Sequence, residues 1–72
     1  MKKVVDARGL SCPLPVLKTK EAIEQGEEEI EVLVDNNTAL ENVTRLAQSK
    51  GFKVTPQKNK DGDWQILINR GE

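Results

Sequence analysis

The sequence predicts a two-layer α/β (α+β) sandwich in the order β-α-β-α-β-β, with two helices on one face of a four-stranded mixed sheet. Three observations predict it. Two segments with helical spacing, Pro13 to Gln25 and Ala39 to Lys50, each close on a glycine, Gly26 and Gly51, that can take the left-handed conformation ending a helix. A β-branched or alternating run precedes each of them. The last two apolar runs are joined by Asn59-Lys60-Asp61-Gly62, a hairpin turn in which Gly62 supplies a positive φ.

The first strand is Lys2 to Ala7, and Asp6-Ala7-Arg8-Gly9 turns the chain, with Gly9 free to take a positive φ. The helix that follows opens on Cys12-Pro13-Leu14-Pro15. Proline is tolerated in a first helical turn, where backbone N–H groups lack intrahelical partners, so Cys12 is expected at the N-cap, Pro13 at N1 and Pro15 at N3. Val16, Thr19, Lys20 and Ile23 fall on one side of this helix with Leu17 flanking, while Leu14 lies off the stripe, as a lone surface residue or as a partner contact beside the thiol.

Glu29 to Asp35 alternates, with Ile30, Val32 and Val34 on one face and Glu31 and Leu33 on the other. Asn36-Asn37-Thr38 supplies helix caps, and Thr38-Ala39-Leu40-Glu41 matches a capping box. The buried stripe of the second helix is Ala39, Leu40, Val43, Leu46 and Ala47, and Phe52 is placed to pack beyond its C-terminus. The third strand, Phe52 to Gln57, contains Pro56 and belongs at a sheet edge. Trp64 to Ile68 is nearly continuous in apolar character and belongs at the centre. Two right-handed crossovers then give three parallel strands and an antiparallel fourth. If that fourth strand inserts between the second and third, Leu33 and Leu67 meet on the open sheet face, either as an apolar patch or as scattered side chains.

Composition narrows the chemistry. Seventy-two residues make one domain, spanning 1–72, with a small core. Charged residues are 32% of the chain and balance to −1, and Phe52 and Trp64 are the only aromatics, so neither a basic field nor a stacking platform for nucleic acid is present. The absence of histidine removes the commonest general base, and a lone cysteine provides no zinc set; no metal or other cofactor is expected. One cysteine cannot form an internal disulfide, and the N-terminal residues lack the apolar run of a signal peptide, which points to a soluble cytoplasmic protein without membrane attachment.

Cys12 is the reactive candidate, because a helix N-terminus favours the thiolate. Since both parallel crossovers start at the same sheet edge, the second helix is expected to bring Asn36, Asn37 and Thr38 near it, with Asp6 and Asp35 ordering the two loops. Arg8, Lys18 and Lys20 form either a basic rim or ordinary surface charge.

Asp6-Ala7-Arg8-Gly9-Leu10-Ser11-Cys12-Pro13-Leu14-Pro15, followed by a lysine-containing helix, resembles the signature of the TusA-like (SirA-like, YedF-like) sulfur-carrier family. Val34-Asp35-Asn36, Glu41 to Ala47 and Gly51 are similar to the YedF-like branch, which includes the N-terminal domains of selenium-metabolism proteins. The resemblance implies the same small sandwich and a persulfide on Cys12, loaded by a cysteine desulfurase or other sulfur donor and unloaded to an acceptor protein. Gly9, Pro13 and Pro15 match the motif's glycine and prolines, and Leu14, Asp35 and Asn36 complete the expected site. Such a protein is a carrier with sulfurtransferase-like chemistry more than an enzyme, a monomer or weak dimer. Two alternatives stay open: a thiol-redox or selenium-handling protein, and a regulatory protein-binding module in which the cysteine is incidental.

Overall fold

The computed structural model describes residues 2–10 and 14–70. The chain runs β1 (Lys2–Asp6), α1 (Leu14–Glu24), β2 (Glu29–Val34), α2 (Asn37–Ser49), β3 (Phe52–Lys58) and β4 (Trp64–Arg70). The sheet order is β1-β2-β4-β3. β1 pairs with β2 in parallel, and β4 is antiparallel to both β2 and β3. The expected sandwich is therefore the observed one, with β4 central and the Pro56-bearing β3 at an edge, where proline is tolerated.

Alternation in β2 buries Ile30, Val32 and Val34, and across the ladders Ile66, Ile68 and Val5 join them on one face. Both helices cover that face, contributing Thr19, Ala22, Ala39, Val43 and Ala47, and Phe52 closes the end of the core. Small residues at the helix contacts let the backbones approach the sheet closely, which keeps so short a chain densely packed. Among the described residues, no helix is long and apolar enough to cross a membrane.

The structure corrects several expectations. The face α1 buries is Pro15, Thr19 and Ala22, flanked by Val16 and Ile23; Lys20 is exposed and Leu17 is 46% exposed. The helix is rotated so that its smallest residues meet the sheet and α2. The Thr19 hydroxyl avoids an unpaired burial by donating to the Pro15 carbonyl at 2.9 Å. At α2 the cap is Asn36, not Thr38: Asn36 is extended (φ −155°, ψ 160°) and its side-chain oxygen accepts from the Ala39 N–H at 2.7 Å. With the first turn satisfied there, the helix starts before the capping box could act.

On the open sheet face, β4 lies between β2 and β3 as expected, and Leu33 and Leu67 share that face. Leu33 lies opposite Gln65, and Leu67 opposite Glu31, so the two leucines are diagonal neighbours, not a facing pair. Gln65 Nε2 donates to Glu31 Oε2 along the other diagonal of the same square. A polar bond thus crosses the centre of the expected apolar patch.

Candidate functional site

In a sheet whose β1, β2 and β3 run parallel, the C-terminal ends of these strands share one edge, and the loops leading into α1 and α2 rise from it. Ala7 extends the β1–β2 ladder by donating its N–H to the Leu33 carbonyl at 2.8 Å. The chain then turns at Gly9, whose φ of +78° is a left-handed conformation. A Cβ there would meet nothing within 4 Å, so backbone conformation, not crowding, selects glycine.

Asp35, the residue after β2, holds this turn. Its carboxylate accepts the Gly9 N–H at 2.8 Å and the Asn36 side-chain amide at 3.1 Å. Asn36 in turn caps α2. Three expected site residues, Gly9, Asp35 and Asn36, thereby form one connected unit spanning both loops. On the helix side, Pro15 and Val16 of α1 line a small cleft together with Asn36, Thr38, Ala39 and Asn42. The first turns of the two helices stand side by side.

Pro15 is buried in the first turn of α1, and Leu14 is 43% exposed next to it. One helical turn further, Leu17 presents a second exposed apolar side chain. The expectation that Cys12 caps α1 with Pro13 at N1 lies outside the described residues.

The electrostatics differ from the basic rim considered above. Arg8 donates Nε and Nη2 to the two Asp6 oxygens at 2.9 Å each, and Nη1 to Asp63 at 3.5 Å. The Arg8 side chain, with its backbone N–H also donating, holds the Asp6 carboxyl down at about 2, and the guanidinium is pushed above its ordinary range in return. Lys20 lies 4.0 Å from Glu24. Arg8 and Lys20 are thus matched by carboxylates; their charge is spent locally.

Two residues at this edge escaped the sequence reading. Trp64 donates its indole N–H to the Asn37 side-chain oxygen at 3.1 Å, and Asp63 reaches Arg8. The signal that could have pointed to Trp64 is chemical: a half-buried indole carries an N–H that needs an acceptor.

The family model for the sulfurtransferase TusA matches residues 3–70, nearly the whole described chain. The chain belongs to the TusA family. A relative from Methanocaldococcus jannaschii, named as a candidate sulfur carrier protein, is 42% identical over 70 residues, covering 94% of this chain and 93% of that one. A protein of Bacillus subtilis named in the same way is 31% identical over 71 residues, covering 96% and 95%. The crystal structure of a SirA-like protein from Desulfitobacterium hafniense superposes with a TM-score of 0.85 at 33% identity, over 100% of both chains. The TusA-family assignment thus rests on sequence and on the full two-helix, four-strand architecture alike.

Proposed function

We propose that this chain is a sulfur carrier that holds a persulfide on Cys12, receives the sulfur from a cysteine desulfurase or other persulfide donor, and passes it to an acceptor protein. The observation that carries the reading is the Asp35 bridge to Gly9, which fixes the turn three residues before Cys12 against the start of α2. Leu14 and Pro15, with Pro13, continue the same motif into α1.

The chemistry needs only a nucleophilic sulfur and access. The Cys12 thiolate attacks the terminal sulfur of the donor's persulfide; the new S–S bond forms as the donor's S–S bond breaks, and the donor leaves as a thiolate with the electron pair. Delivery is the same exchange in reverse: an acceptor nucleophile takes the terminal sulfur and Cys12 departs as thiolate. No net oxidation occurs in either step. Partial positive charge at neighbouring helix N-termini favours the anionic forms on both sides of the exchange. Transfer occurs between proteins in a reducing cytoplasm, where a thiol lacking an internal partner stays available.

Intact mass after incubation with a cysteine desulfurase and cysteine tests the reading. The expected result is a gain of one sulfur atom, reversed by a reductant and absent in Cys12→Ser. No gain with any of several desulfurases or with a small-molecule persulfide refutes it.

A further inference from the structure

The turn joining β3 to β4 is held from within. The Asn59 side chain accepts the N–H groups of Asp61 and Asp63 at 3.0 Å each, Asn59 N–H donates to the Asp63 carbonyl at 2.9 Å, and Gly62 at φ +89° donates to the Asn59 carbonyl at 3.1 Å. Such a turn delivers the residues after it in a fixed orientation. Those residues are Asp63 and Trp64. Asp63 contacts Arg8, in the segment that leads from β1 to Cys12, and Trp64 contacts Asn37, the first residue of α2. The Lys58 ammonium lies 5.7 Å above the Trp64 ring and holds it from the other side of the hairpin.

We infer that the β3–β4 hairpin end is a positioning element of the sulfur site, with Asp63 and Trp64 bracing the two loops that Asp35 joins directly. The inference rests on the reading of Cys12 as the sulfur-bearing thiol. Asp35 ties the loops to each other, whereas Asp63 and Trp64 tie each of them to the end of the β3–β4 hairpin. Trp64 acts on Asn37 and hence on the direction of the first turn of α2; Asp63 acts on Arg8 and hence on the approach to Gly9. Both act through the loops they hold, at Arg8 and at Asn37.

The test is the pH profile of Cys12 alkylation by iodoacetamide on the full chain, from pH 5 to 10, with urea unfolding measured in parallel. Trp64→Phe keeps the ring and removes the indole donor; Asn37→Ala removes the acceptor and leaves Trp64 intact, so a folding defect in one variant does not decide the matter. Each is expected to move the reactivity midpoint toward that of a free thiol and to lower the alkylation rate at pH 7 about threefold, the scale of one helix-terminus interaction. Asp63→Asn is expected to shift the profile in the same direction and Asp63→Glu to restore it. Profiles of Trp64→Phe and Asn37→Ala that superimpose on the parent overturn the inference. Alkylation needs no sulfur donor, so failure of persulfide loading in the parent protein refutes the carrier reading while leaving this result separately readable.

Discussion

The Asp35 carboxylate lies 2.8 Å from the backbone nitrogen of Gly9, 26 residues away in sequence, and so fastens the turn after β1 to the end of β2. Removing it leaves the Gly9 N–H to water and frees the Asn36 amide. Asp35→Ala is expected to cost about 1 kcal/mol in urea unfolding, since the bond is exposed, and to speed amide exchange at Gly9. Asp35→Asn retains an acceptor and should lose less in both measurements.

Asn36 and Thr38 make opposite claims on the start of α2. With the Ala39 N–H bonded to Asn36 at 2.7 Å, Asn36→Ala is expected to destabilise by about 1 kcal/mol, while Thr38→Ala stays within about 0.5 kcal/mol of the parent. Chemical denaturation of the two variants checks it. Equal losses would mean that Thr38 shares the cap.

The Asp6–Arg8 pair sets the sign of one pH effect. Asp6 is held at about 2 against an ordinary value of 3.8, so its contribution to stability is full above that ordinary value and is lost as pH falls toward 2. The pair is exposed, and the effect is small. Between pH 6 and pH 2.5, Asp6→Asn is expected to show a weaker acid-induced decline in urea midpoint than the parent.

Leu14, within the motif, and Leu17, one turn beyond it, both stand exposed on α1. Burial on a donor or acceptor surface would account for apolar side chains that the fold itself does not need. Leu14→Ser with Leu17→Ser should change stability by less than about 0.5 kcal/mol each. The same pair should slow sulfur transfer from a protein donor several-fold while leaving loading by a small-molecule persulfide unchanged. Equal slowing with both donors would place the defect at the thiol.

Strand order was legible because single residues carried it: Pro56 marks an edge, and the unbroken Trp64–Ile68 run marks a centre. Period-two burial in β2 needed nothing beyond its own alternation. The rotation of α1 was not legible, because Pro15, Thr19 and Ala22 are weak hydrophobic markers and are buried by what packs on them. Neither was the choice of Asn36 over Thr38, since both are good caps and only the extended backbone at Asn36 decides. In the candidate site, Gly9, Asp35 and Asn36 could be named from their motif and loop positions. The links from Trp64 to Asn37 and from Asp63 to Arg8 span 27 and 55 residues, and no local pattern encodes a contact at that range.

Placing the last strand in the middle of the sheet has a consequence for how the chain acquires its shape. Until β4 is synthesised, β2 has a partner on one side only and β3 has none within the sheet, so Ile30, Val32 and Val54 face no Ile66 or Ile68. The nascent chain can form helices and the β1–β2 pair while its interior waits for residues 64–70. A ribosome-bound fragment ending before Trp64 therefore exposes two hydrophobic strand edges, the kind of surface that chaperones recognise and aggregates grow from. Completion of the fold, and with it of the edge from which the two helix-leading loops rise, is a late and all-at-once event in the life of each molecule.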